Sequence, residues 1–170
     1  MKKFALCFAI ATLFTAGAQA ATADLSTWTV NLGTSGSVSA TSNYASLSAN
    51  SSIQNNVSNI QSFNWQFQAN DYLPFDDYAW VSLNGAMTTL SSVSTVGNYG
   101  DSGWNTYKFA APAFGTLQFG VTNVGDGLLS SELHIQNVSN ISAVPEPESY
   151  AMQLAGLGLI GFMFRRRKTS

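Results

Sequence analysis

Through the middle of the chain, apolar and polar residues alternate with a period of two, and each end carries a short, mainly apolar run, the C-terminal one interrupted by Gln153. The alternation is clearest from Ile60 to Ala69. There Phe63, Trp65, Phe67 and Ala69 are interleaved with Asn64, Gln66 and Gln68, the pattern of a strand with one buried face. Trp28, Val30 and Leu32 repeat it, as do Ala79, Val81 and Leu83, then Tyr107 and Phe109, then Leu117, Phe119 and Val121, and finally Leu133 and Ile135. Glycine-bearing turns separate these segments at Asn84-Gly85, between Gly97 and Gly103, and at Gly125-Asp126-Gly127.

No stretch has the 3.6-residue period of a long amphipathic helix. Seven to nine short strands at this spacing predict an all-β fold, an antiparallel β-sandwich of jelly-roll or immunoglobulin-like type, over residues 21–143. Residues 33–59 are poor in large apolar side chains and read as an edge hairpin or a loosely ordered insertion. Trp80 and Trp104 are expected in the core, because large aromatics dominate cores. Tyr72 and Tyr99 fall in loops and are expected to be exposed.

The two ends predict flanking helices with separate jobs. Lys2 and Lys3, the apolar stretch from Phe4 to Phe14, and the small-x-small triplet Ala18-Gln19-Ala20 have the layout of a signal peptide over residues 1–20, cut after Ala20. Cys7, the single cysteine, lies inside that stretch and leaves with it, so the mature chain has no disulfide or thiol chemistry.

At the other end, Val144-Pro145-Glu146-Pro147-Glu148-Ser149 precedes the apolar run Tyr150 to Phe164 and the cationic close Arg165-Arg166-Arg167-Lys168. The prolines hold their segment extended, as a protease recognition strand must be. Fifteen residues of helix span only ~22 Å, short of the ~30 Å hydrocarbon core, so the run is marginal as a permanent anchor. Arg165, Arg166, Arg167 and Lys168 act as a membrane stop and hold the end on the cytoplasmic side.

This order, Val144-Pro145-Glu146-Pro147 with a glycine-containing apolar run and terminal cations over residues 144–170, resembles the PEP-CTERM sorting domain. The resemblance implies an exosortase-like membrane processing enzyme as partner, transient residence in the inner membrane, and processing near Pro145-Glu146-Pro147. It further implies a Gram-negative host that makes exopolysaccharide, and a final location at the cell surface or in the biofilm matrix. A second resemblance lies in the stretches Asn70 to Trp80, Gly103 to Phe109 and Leu117 to Asn123, which look like the β-sandwich domains often paired with this tail. Those domains often end in an Asp-rich strand, where this chain has Ser130 to Val138.

Charge narrows the possible partners. Between residues 21 and 143 there are seven acidic residues and one basic residue, Lys108, for a formal charge of −6. Such a surface does not grip a phosphate backbone, and nucleic acid is excluded as a partner.

Asp71, Asp76 and Asp77 form the densest carboxylate group, in a Pro-containing loop, and hard oxygen ligands of this kind suit Ca²⁺. Asp101, Asp126 or backbone carbonyls are available to complete a shell, while the alternative is solvated, turn-forming carboxylates. His134, the one histidine, is expected to be exposed on the strand face opposite Leu133 and Ile135, and lacks companions for zinc. No spacing assigns catalytic roles, and no Gly-x-Ser-x-Gly elbow occurs, so a noncatalytic protein is expected. Tyr72 and Tyr99 are the candidate carbohydrate contacts of an alternative exopolysaccharide-binding, calcium-dependent module.

Overall fold

In the computed structural model, which describes residues 21–140 and 153–158, the alternation resolves into eight strands. They are β1 (Thr29–Leu32), β2 (Ser37–Ala40), β3 (Tyr44–Ser48), β4 (Ser51–Gln68), β5 (Tyr78–Leu83), β6 (Ala86–Ser92), β7 (Asn105–Thr122) and β8 (Glu132–Asn140). Every pairing is antiparallel, in the order β2-β3-β8-β4-β7-β5-β6, with β1 also on β4. The fold is therefore all-β, and its compact unit spans Ala20–Ser142. Among the described residues of this unit, helix is confined to a 3-10 turn, Leu25–Thr27, capped by the Asp24 carboxylate, and a single turn α1 (Val93–Val96).

The expectation of short strands fails at β4 and β7, which each run for 18 residues. Their mutual register shifts on both sides of Ile60, beside Asn59 at φ 62°. Bulges of this kind bend a strand. Phe119 pairs in register with Ile53, ten residues from Phe63 along β4. On a straight strand that is ~33 Å, yet the rings of Phe63 and Phe119 meet edge to face at 4.7 Å. The long β4–β7 pair thus folds back on itself and encloses the core.

The first half of β4 carries β1, while its second half carries β8. The C-terminal half of β7 carries β5. Both wings contribute to one cluster that joins Leu47, Leu133 and Ile135 to Ile53, Val81, Leu117 and Phe119 through Phe63 and Phe67.

Several other positions differ from the sequence expectation. Residues 51–59 are not an insertion but the start of the central strand β4, while β2 and β3 do form an edge hairpin. Serine hydroxyls conceal this segment's burial in the sequence: Ser51 Oγ donates to the Ser37 carbonyl at 3.1 Å, and Ser52 Oγ accepts from Gln118 at 3.0 Å.

Val30 and Leu32 are exposed, because β1 is a four-residue edge strand whose only named partner is β4. Trp104 is also exposed, in the loop before β7. Trp80 is half-buried outside the core cluster; a Cβ on its register partner Gly120 would collide with the indole ring, and its Nε1 donates to Thr122 Oγ1 at 3.0 Å. The Asn84-Gly85 turn behaves as expected, with φ of 52° and 86° at its two central residues, as a type I′ hairpin requires.

The signal segment with Ala18 and Ala20, the residues Val144, Pro145, Glu146 and Pro147, and the close Arg165 to Lys168 lie outside the described residues. Within the C-terminal apolar run, residues 153–158 are helical. Among the described residues, no helix is long and apolar enough to cross a membrane.

Candidate functional site

Three connections meet beside the C-terminal end of β4: residues 69–77, residues 97–104 before β7, and residues 123–131 before β8. Backbone bonds tie the first two, with Ala69 N–H donating to the Gly100 carbonyl at 2.8 Å and Tyr99 N–H to the Asp71 carbonyl at 2.9 Å. Side chains tie the first to the third, since Asn70 Nδ2 donates to the Ser130 carbonyl at 3.0 Å. The candidate residues of the sequence reading fall largely on this cluster, although they divide into three environments.

Asp71 and Asp77 are fully buried. Asp77 Oδ1 accepts from Val124 N–H at 2.8 Å, and its Oδ2 accepts from Ser131 Oγ at 2.8 Å and Ser131 N–H at 3.2 Å. Burial nevertheless raises the Asp77 carboxyl above the ordinary aspartate value despite these bonds, and the Asp71 charge pushes it the same way. Asp71 Oδ1 accepts from Tyr72 N–H at 2.7 Å, while its Oδ2 is buried with no hydrogen-bond partner.

Asp76 is engaged differently. Burial works to raise it, but Ser94 N–H at 2.7 Å, Ser94 Oγ at 2.8 Å and the Ser92 hydroxyl outweigh that and hold it below the ordinary value. It anchors the single-turn α1 to the loop.

The trio expected to hold Ca²⁺ therefore does not act as one group. Among the described residues, no three His, Cys, Asp or Glu side chains converge. Asp101 is held by Gln66 Nε2 and Gly103 N–H, and Asp126 accepts from Leu128 N–H within its own turn.

The two candidate carbohydrate contacts, 27 positions apart in sequence, come together. The Tyr72 and Tyr99 rings lie 5.9 Å apart, and Phe75 packs edge-on against Tyr72 at 5.6 Å. Tyr99 is 62% exposed and Tyr72 39%, so the pair offers aromatic surface to solvent.

His134 is not the free strand residue expected. It stands on the interior strand β8, stacks on Tyr44 at 5.9 Å, bonds the Tyr44 hydroxyl at 2.8 Å and lies 3.5 Å from Glu132. Sequence reasoning also missed a polar cavity of about 200 Å³ beside Asp24, Trp28, Asn55, Asn56 and Asn140. Its residues come from three distant segments, so no spacing pointed to it.

The described part is thus an all-β domain with an aromatic and acidic loop cluster, and the segment after it carries the chemistry of a sorting signal. The PEP-CTERM protein-sorting motif matches residues 143–168, which include Val144, Pro145, Glu146 and Pro147 and the cations Arg165 to Lys168. Such a motif implies export, transient membrane anchoring and processing by an exosortase, a membrane enzyme. Among curated proteins, none matches the chain.

Proposed function

We propose that the chain is an exported, noncatalytic component of the cell surface or biofilm matrix, delivered there by exosortase processing of its tail. The sorting motif at residues 143–168 is the observation that carries this reading. The signal-peptide layout of residues 1–20 supplies entry to the export pathway. The 150–164 run holds the chain in the inner membrane long enough to be cut near Pro145-Glu146-Pro147, and the β domain, read as a sandwich, is the part that remains. The absence of any spacing that fixes catalytic roles supports a noncatalytic domain.

Fractionation of an exosortase-bearing host, with mass spectrometry of the recovered protein, tests this. The expected product begins at Ala21 and lacks the cationic end, and a Pro145→Ala/Glu146→Ala/Pro147→Ala variant accumulates uncut in the inner membrane. Recovery of wild-type chain that still carries residues 165–170 in that membrane would overturn the reading.

A second reading, an exopolysaccharide-binding module, is favoured by the exposed Tyr72–Tyr99 pair, since aromatic faces flanked by polar groups stack on sugar rings. Binding of the host's own exopolysaccharide by the full chain, reduced at least tenfold in Tyr72→Ala/Tyr99→Ala, is the expected result. Equal binding by both proteins would dismiss it.

A further inference from the structure

We propose that Asp71 and Asp77 together hold a calcium ion, with Asp76 outside its shell, and that the ion pins the three connections of the loop cluster to one another. The inference begins with an imbalance of charge. Both carboxylates are fully buried and neither takes part in an ion pair, since among the described residues the one such contact joins His134 and Glu132. A buried carboxylate without a counter-charge costs several kcal/mol.

Hydrogen bonds do not remove that imbalance. Two carboxylates offer about eight lone-pair positions. Donors occupy four: Tyr72 N–H on Asp71, Val124 N–H on one oxygen of Asp77, and the Ser131 N–H and hydroxyl on the other. Asp71 Oδ2 receives none. One shared proton would fill a single position and leave a net negative charge in a buried place.

A divalent cation neutralises both groups and draws on the unfilled positions. Asn123 Oδ1 is a further buried oxygen without a partner, on the residue that precedes Val124. Val124 N lies 2.8 Å from Asp77, which puts the Asn123 Cα within about 5 Å of that carboxylate.

The identity of the ion follows from the donors. They are oxygens only, which excludes the nitrogen and sulfur preference of zinc. They are irregularly placed on loops, which suits Ca²⁺ better than the strict octahedron of Mg²⁺. Two carboxylates with amide, carbonyl or water oxygens give the modest affinity of extracellular modules, with Kd on the order of 10⁻⁴ to 10⁻³ M.

The site stands on burial alone and needs neither the sorting nor the glycan reading. One consequence does rest on the glycan reading: Tyr72 follows Asp71, and Tyr99 N–H donates to the Asp71 carbonyl, so the ion also fixes the aromatic pair.

The test uses the full chain in mild detergent, stripped with chelator and melted with Ca²⁺, with Mg²⁺ or with neither. Free Ca²⁺ at ~100 times Kd should raise Tm by on the order of 10 °C, with a much smaller response to Mg²⁺. Asp71→Asn should abolish the Ca²⁺ shift, and Asp76→Asn should keep it. No shift in the wild type, an equal shift with Mg²⁺, or a shift that survives Asp71→Asn would each overturn the proposal. If Asp71→Asn does not fold, equilibrium dialysis of the wild type decides: a single saturable Ca²⁺ per chain supports the site, and none refutes it.

Discussion

Gly120→Ala adds one methyl group where the absence of a side chain leaves room for the Trp80 indole. A Cβ there would overlap the Trp80 ring, coming within 2.8 Å even of its Cη2, against an ordinary contact of ~3.5–4 Å. The ring must move outward, with an overpacking cost of ~1–3 kcal/mol, and it loses the Nε1 bond to Thr122 Oγ1, worth ~1 kcal/mol. Alanine returns ~0.5–1 kcal/mol through its lower backbone entropy. The net destabilisation is ~2 kcal/mol, or roughly 8 °C in Tm for a domain of this size.

A double-mutant cycle by urea unfolding isolates the cause. In a Trp80→Ala background the methyl meets no ring, so Gly120→Ala should be neutral or stabilising there, with a coupling energy of ~2–3 kcal/mol. An identical cost in both backgrounds would refute the steric argument.

Two other outcomes are expected. Phe63→Ala empties the point where the folded-over halves of β4 and β7 meet, beside Tyr107 at 5.0 Å and Phe119 at 4.7 Å, and should cost ~3–5 kcal/mol in chemical denaturation. The same truncation at the exposed Leu128 should stay within ~0.5 kcal/mol, and equal costs at the two sites would contradict the core assignment. Asp101 is held below the ordinary aspartate value first by Gln66, then by Gly103 N–H, against burial and with a smaller pull from His134. A depressed folded value stabilises the protein above the unfolded value of ~3.9 and is lost as pH falls through the folded one. Asp101→Asn should therefore lower Tm near neutrality and match the wild type once pH falls well below ~3.9; a Tm difference that instead persists or widens in acid would contradict that sign.

Strand identity was readable where one face is apolar: Phe63, Phe67, Leu117, Phe119, Leu133 and Ile135 are all fully buried, as their alternation required. Asn84-Gly85 marked its turn because two successive left-handed residues suit few other pairs. What alternation does not encode is length and curvature. Ser51 to Asn59 carries hydroxyls and amides that bond across strands, and a polar stretch of that kind resembles a loop in sequence.

At the site, Tyr72 and Tyr99 were each legible as loop aromatics, but their meeting depends on the Tyr99–Asp71 backbone bond, which no local pattern encodes. Asp76 and Asp77 are adjacent in sequence and chemically opposite in the fold, because one is engaged by Ser94 and the other by Val124 and Ser131. Composition saw three equivalent carboxylates where packing makes only two of them buried.

Topology links this domain to its tail through the position of β8. That strand is last in the chain yet interior in the sheet, between β3 and β4, and it supplies Leu133, Ile135 and Val138 to the core. The core cannot close until residues 132–140 have been delivered, and the matched sorting motif begins at residue 143, three positions after β8 ends. The opening segment joins at the same place, since Asn140 N–H donates to the Ala21 carbonyl and Ala23 N–H to the Val138 carbonyl. The strand that completes the fold and the motif that directs sorting are therefore neighbours in the chain, separated by residues 141 and 142.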